Sequence, residues 1–333
     1  MATIPSGGRP TIANQPDESA GIGNDGNLPT DVFVPIGFFC CDAIGQNGWL
    51  PTDQIRLPIE DLGFRQGVTA VERLRTYDRR PFAVDRHLQR FAQTLRSIGM
   101  DASVSMDAIE RLIDEIIDRN RDWVSQQVDV GITVWATPGR RLSNQGGVTY
   151  AVHLNPIDHE AVRIRRTEGQ SVVLTDIRQP APDCWPRSAK VRSRLHYFLA
   201  DQQSESIRRG STGVLRDEDD SWTESSVANL ALVVDDELVF APVDRVLPGV
   251  TQCIVREIAW NQGIDCRNQL IQTVDIGRAQ AMLLMGTDTG LWFASEVWDG
   301  QGNCIRSFDR PTKVSLTKRL QTAMPQSSTG LPL

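Results

Sequence analysis

Strand-like and helix-like hydrophobic periods follow one another along this chain without a regular strand–helix–strand rhythm, and that irregularity constrains the fold most. "TAVERLRTY" (Thr69 to Tyr77) reads as a strand, "DRR" as its turn and "PFAV" as a second short strand. "DRHLQRFAQTLRSIGM" places Leu88, Phe91, Leu95 and Ile98 at helical spacing. "SMDAIERLIDEIIDRNRDW" gathers Ile109, Leu112, Ile113, Ile116 and Ile117 on one side, with Ser105 or Asp107 as its cap. Two strands follow, "VDVGITVWAT" and "GVTYAVHLN", and then the charged stretch "NPIDHEAVRIRRTEGQ", which lacks a clean period. Further on come the strand "SVVLTDI", a Pro-rich loop and a helix from about Ser193 to Arg209. After these stand the hairpin "LALVVDDELVFAP", turning at Asp235 and Asp236, and the helix "VTQCIVREIAWNQG", stopping at Gly263. "AMLLMGTDTGLWFAS" supplies two more short strands. Such a mixture predicts an α+β architecture rather than a doubly wound sheet.

At 333 residues the chain suits two domains, or one large one. The expected division is a flexible tail over 1–30, a small N-terminal α/β domain over 31–155, a linker over 156–168 and a larger C-terminal domain over 169–333. A net charge of −7 argues against a general nucleic-acid surface. No apolar run reaches membrane-span length, and the N-terminus lacks the basic-then-apolar pattern of a secretory signal. The cysteines at 40, 41, 184, 253, 266 and 304 form no CxxC and no zinc spacing. Free thiols in a reducing cytoplasm are the expectation, with no metal site. GxGxxG, Walker, HExxH and GxSxG patterns are all missing.

The chain writes nearly every positive charge as arginine. Lys190 is the only lysine before Lys313 and Lys318, and it stands among Arg187, Arg192 and Arg194. A lysine can lose its proton near neutral pH and attack a carbonyl, which arginine cannot do. A lysine bonding pyridoxal phosphate needs an anion for the pyridine nitrogen, backbone amides at a helix start for the phosphate, and an apolar ring cover. Glu224 in "WTESSVANL" is the candidate anion. "LPGVTQ" opens a helix, where Gly249 permits close approach, Val250 and Thr251 offer amides and Leu247 is the ring cover. Thr287 in "MGTDTG" is a second hydroxyl source, and His87 and Arg90 lie one helical turn apart.

In this order the segments resemble the class IV aminotransferases, which include branched-chain and D-amino-acid transaminases and aminodeoxychorismate lyase. The stretches are "GVTAVERLRTYDRRPFAVDRHLQRF", "AKVRSRLHYFLA", "TESSVANLALVVDDELVFAP", "RVLPGVTQ" and "MGTDTGLWFASEVWDG", spread over about residues 60 to 320. The resemblance implies a two-domain fold of pyridoxal-phosphate type IV, a homodimer, and transfer of an amino group between an amino acid or amine and a 2-keto acid. It implies that Lys190 forms the aldimine with pyridoxal 5'-phosphate and shuttles the α-proton. Glu224 then matches the carboxylate at the pyridine nitrogen, Leu247 the ring cover, and Arg90, Val250, Thr251 and Thr287 the phosphate contacts.

The substrate half departs from that pattern. Gln66 and Val71 stand where the branched-chain enzymes carry aromatics, Leu195 where a tyrosine often follows the lysine, and the strand around Ile132 has no arginine. Arg65, Arg73 and Arg140 are the candidates for a carboxylate partner. The pair Arg194 and Leu195 resembles the lyase branch, so a lyase of the same fold is one alternative. A non-catalytic cofactor-binding dimer is another.

Overall fold

The computed structural model describes residues 34–100, 104–140, 147–184 and 186–327. The tail expected over 1–30 lies outside the described residues. The described residues form one compact unit. All six cysteines are free.

The first half builds one sheet. Its strands are β1 (Ile36–Cys41), β2 (Gln46–Pro51), β3 (Ala70–Tyr77), β4 (Arg80–Pro81), β5 (Val130–Thr137) and β6 (Thr149–Pro156), in the order β2-β1-β6-β5-β3-β4. The helices are α1 (Leu62–Arg65), α2 (Val84–Ser97), α3 (Met106–Arg119) and α4 (Arg121–Ser125). Helix α3 begins at Ser105, whose hydroxyl accepts from Ala108 N at 3.3 Å, so Ser105 rather than Asp107 is the cap. "PFAV" contributes only Pro81 to a strand, because Ala83 turns left-handed at φ 50° and starts α2.

Alternation along the strands decides what each face does. Ala70 and Leu74 of β3, Ile132 and Val134 of β5 and Val152 and Leu154 of β6 pack with Leu88, Phe91 and Leu95 of α2 and Ile109, Ile113 and Ile116 of α3. The opposite phase of the same strands, Val71, Arg73, Thr133, His153 and Asn155, lines a cavity.

The segment expected as a linker carries α5 (His159–Glu168), capped by the Asp158 carboxylate on Ala161 N at 2.9 Å. Its charges obscured the helical period. The second half is built on β7 (Gln170–Arg178), β8 (Thr212–Arg216), β9 (Trp222–Ser225), β10 (Asn229–Val234), β11 (Glu237–Phe240), β12 (Cys266–Asn268), β13 (Ala281–Gly286), β14 (Gly290–Trp298) and β15 (Cys304–Ser307). The order is β12-β11-β10-β13-β14-β7-β8-β9, with β15 on β14. Strand β9 also pairs back to β10, which closes the sheet on itself. Around it run α6 (Leu195–Ile207), α7 (Val250–Asn261), α8 (Thr273–Arg278) and α9 (Leu316–Ala323). The β10–β11 hairpin turns at Asp235 and Asp236, both at positive φ (52° and 61°). Short β8, β9, β12 and β15 carry too few apolar residues for a period to show in the sequence.

Candidate active site

Lys190 sits where the two sheets approach. Its segment runs along the edge of β3 as an isolated antiparallel bridge between Ala70 and Val191. Val71 N donates to the Lys190 carbonyl at 3.0 Å and Arg192 N to the Thr69 carbonyl at 3.0 Å. On the helix side, Lys190 N donates to Thr94 Oγ1 of α2 at 3.1 Å. The backbone of the lysine is thus tied to the first half from two directions. Its amine is pushed down to about 8, first by burial and then by the Arg90 charge, against the partial support of Glu72 and Glu224.

The residues assigned from the sequence to the lysine, ring and phosphate roles line one cleft: Arg90, Lys190, Glu224, Leu247, Gly249, Val250, Thr251 and Thr287. Glu224, on β9 opposite Asn229, is buried and accepts hydrogen bonds at both oxygens. Tyr197 Oη (2.7 Å) and Gln179 Nε2 (3.1 Å) reach Oε1, and Asn229 Nδ2 (2.9 Å) and Leu247 N (3.0 Å) reach Oε2. Burial raises its carboxyl while the hydrogen bonds from Tyr197, Leu247 and Gln179 and the Lys190 charge pull the other way, with burial the larger effect. Leu247 therefore holds Glu224 through its backbone amide in addition to lining the cleft.

Helix α7 begins at Val250 with Gly249 as N-cap and without a capping side chain, so its first-turn amides have no intrahelical acceptor. A Cβ at Gly249 would fall 1.9 Å from Asn229 Oδ1, so any larger residue would displace Asn229 or the start of α7. The hydroxyls of Thr251 and Thr287 make no hydrogen bond with another described residue. Arg90 donates through Nη1 to the Pro248 carbonyl at 3.0 Å. Its other nitrogens grip Glu72, at 2.9 Å from Nε and 2.6 Å from Nη2, and His87 Nδ1 lies 3.0 Å from the same carboxylate. His87 is thus a partner of Glu72 and does not line the cleft. Unpaired amides and hydroxyls at a helix N-terminus, with a guanidinium beside them, are a donor set that suits a phosphate. A neutralisable lysine and a buried carboxylate at the other end suit the aldehyde and the ring nitrogen of a pyridoxal group.

Next to this cleft, and sharing Lys190 and Thr287 with it, is a cavity of about 490 Å³. Of the carboxylate partners expected from the sequence, only Arg73 lines it, and Arg73 already grips Asp288, from Nε to Oδ1 and from Nη2 to Oδ2, both at 2.9 Å. Arg75, one strand repeat along, donates to the Asp288 carbonyl at 2.6 Å. Together they clamp the turn that carries Thr287. Arg65 pairs with Glu60 at the surface (2.9 Å), and Arg140 is exposed and outside the cavity. The cavity instead presents His153, Asn155, Arg165, Arg192 and Arg194, which the motif reading did not assign. Strand alternation on β6 could have found His153 and Asn155, whereas Arg165 sits in the charged helix read as a linker.

The sequence from residue 69 to 297 matches the family model for class IV aminotransferases. The chain belongs to that family. A D-alanine aminotransferase of Staphylococcus aureus is 22% identical over 260 residues, 74% of this chain and 86% of the relative. The branched-chain amino acid aminotransferase of Escherichia coli superposes with a TM-score of 0.72 at 19% identity, covering 87% of this chain and 93% of that one. A hypothetical aminotransferase from Mycobacterium tuberculosis, in a PLP-bound form, gives 0.71 at 19% identity, covering 86% and 98%. The fold is that of the type IV pyridoxal-phosphate enzymes. The family's chemistry is pyridoxal-phosphate-dependent amino-group transfer, so this chain is an enzyme, and the lyase and non-catalytic alternatives are set aside.

Proposed function

We propose that this aminotransferase moves an amino group between an amino acid, or a simple amine, and a 2-keto acid, with Lys190 as its catalytic residue. The observation that carries the reading is the meeting, in one cleft, of a lysine amine lowered to about 8, a buried carboxylate and an uncapped helix start. Pyridoxal phosphate, when bound, supplies an aldehyde that bonds amines and a ring that takes up an electron pair. Lys190 would hold the aldehyde, and its neutral amine would take the proton from the substrate α-carbon and return it. Glu224, fixed by its four donors, would keep a proton on the ring nitrogen. Arg90, Val250, Thr251 and Thr287 would hold the phosphate, Gly249 would leave it room, and Leu247 would pack on the ring.

Residues 31–155 and 169–333 are read as the small and large domains, joined by 156–168, with Lys190 between them. A homodimer is part of the reading. Leu195, Phe198 and Leu199 of α6 are 69%, 59% and 43% exposed at i, i+3 and i+4, an apolar stripe left on one helix face. A monomeric mass in solution would count against it. A cytoplasmic location is part of the reading, supported by the six free thiols.

The test is a half-reaction. A panel of amino acids and amines is added to the cofactor-loaded protein and the visible spectrum is followed. Conversion to the pyridoxamine form by at least one donor, and its loss in Lys190→Arg, is the expected result. A spectrum that no donor changes would overturn the reading.

A further inference from the structure

Three cavities share Lys190, and among the described residues only Arg194 also lines all three. Two of them are the cofactor cleft and the 490 Å³ cavity. The third, of about 40 Å³, is walled by Lys190 and Glu224 together with Leu247 and Tyr197. None of Arg90, Gly249, Val250, Thr251 and Thr287 lines it.

Pyridoxal phosphate has its ring nitrogen opposite the aldehyde carbon, its phosphate arm on one flank of that carbon and a ring hydroxyl on the other. With the aldehyde at Lys190, the nitrogen at Glu224 and the phosphate at α7, the hydroxyl would belong on the flank that the α7 residues do not line. The small cavity is on that flank.

Most polar groups of the small cavity are already engaged. Tyr197 gives its hydroxyl to Glu224 at 2.7 Å, and Gln179 its amide at 3.1 Å. Ser193 donates to the Gly67 carbonyl at 2.9 Å. Arg187 turns both terminal nitrogens to Asp217, each at 2.6 Å, which leaves only its Nε unpaired. His196 is held neutral, pushed down to about 4 by burial and then by the Arg194 charge. Arg194 differs. Its Nη2 donates to the Ser226 carbonyl, and its guanidinium lies 4.4 Å over the Tyr197 ring. Its Nε and Nη1 make no hydrogen bond with a described residue. Arg194 is the N-cap residue of α6, four residues past Lys190, and the bond to Ser226 ties it to the connection between β9 and β10. The cation is therefore held from both sides of the site.

We propose that Arg194 is a further catalytic residue, whose free N–H groups hold the ring hydroxyl of the cofactor in its ionised form beside Lys190. The proposal rests on the reading of the cleft given above and deepens it. A guanidinium keeps its charge at every working pH, and its bond to an oxygen anion is about twice as strong as a neutral one.

The experiment uses the full chain stripped of cofactor and two probes, pyridoxal phosphate and its analogue lacking the ring hydroxyl. The analogue keeps the aldehyde, the nitrogen and the phosphate. Equilibrium dialysis gives a Kd for each. The unaltered protein is expected to hold pyridoxal phosphate about ten- to a hundredfold more tightly, the range of a hydrogen bond to a charged group. Arg194→Gln should close that gap by weakening pyridoxal phosphate alone, and Arg194→Lys should keep part of it. Tyr197→Phe should leave the gap as it is, since that hydroxyl belongs to Glu224. Equal binding of the two probes by the unaltered protein would overturn the proposal. A gap that closes in Tyr197→Phe would give the role to the phenol instead. Both probes weakened alike in Arg194→Gln would show a structural role and count equally against it. If the unaltered protein cannot hold pyridoxal phosphate, the functional reading fails and this proposal falls with it. If pyridoxal phosphate is held and the gap does not answer to Arg194, only the proposal fails.

Discussion

Tyr197 donates its hydroxyl to Oε1 of Glu224 at 2.7 Å, and the two groups perturb each other. Burial and the adjacent carboxylate lift the phenol well above its ordinary range, so it stays a donor at any working pH. Replacing Tyr197 by Phe leaves Gln179 as the only donor to that oxygen. A hydrogen bond to a charged group contributes roughly 1.5 to 3 kcal/mol. The expected outcome is a fall in kcat of about tenfold with the fold intact, read as kcat and thermal midpoint side by side.

Glu72 carries the inner face of β3 onto Arg90 and His87. Those contacts hold its carboxyl far below the ordinary 4.5 despite complete burial. A carboxylate with a depressed folded-state value contributes stability that is present above the unfolded value and is lost as pH falls through the folded one. Its contribution should therefore be intact at neutral pH and decline as the medium is acidified below about 4.5. Glu72→Gln breaks a buried pair and leaves Arg90 without its counter-ion, at a cost of about 3 to 5 kcal/mol. Denaturant melts at pH 7 and pH 3 should show the variant's deficit shrinking at the lower pH. A constant deficit would mean the ion pair is not its cause.

Gly249→Ala is predicted to weaken cofactor retention. The added methyl would sit 1.9 Å from Asn229 Oδ1, and Asn229 bonds both Glu224 and the Leu247 carbonyl at 2.9 Å. Either the asparagine moves and Glu224 loses a donor, or the start of α7 shifts. Overpacking of this kind costs about 1 to 3 kcal/mol. Equilibrium dialysis against pyridoxal phosphate should show roughly a ten- to hundredfold weaker complex.

In the proposed reaction Lys190 acts as its neutral amine, and its lowered value of about 8 sets where that form appears. The rate of cofactor uptake by the stripped protein should rise with pH and level off above about 8, not near the 10.5 of an ordinary lysine. A stopped-flow series across pH 6 to 10 would show the inflection.

The residues of the proposed cofactor cleft could be picked out from the sequence, and the fold brings them together, because each proposed part demands a residue type that little else can replace. A lone lysine in an arginine-rich chain, a glycine before a helix start and a carboxylate before a hairpin keep their meaning without coordinates. The substrate side was not legible, because its members meet only through register. Arg192 faces the cavity because Val191 pairs with Ala70, and His153 because β6 pairs with β5 in that phase. Arg73 looked available until the turn at Asp288 was seen to occupy it. Tyr197 lies seven residues past Lys190, and the start of α6 brings it to Glu224 rather than into the 490 Å³ cavity. The charged segment 156–168 hid α5, since a helix with no buried residue leaves no apolar period to read.

The central claim is that Lys190 carries the cofactor, and borohydride reduction followed by peptide mass analysis tests it most directly. The chain has only Lys313 and Lys318 besides Lys190, so the assignment is unambiguous. The account predicts a phosphopyridoxyl mass on the peptide containing Lys190 and on neither of the other two. An adduct elsewhere, or none after incubation with pyridoxal phosphate, would contradict it.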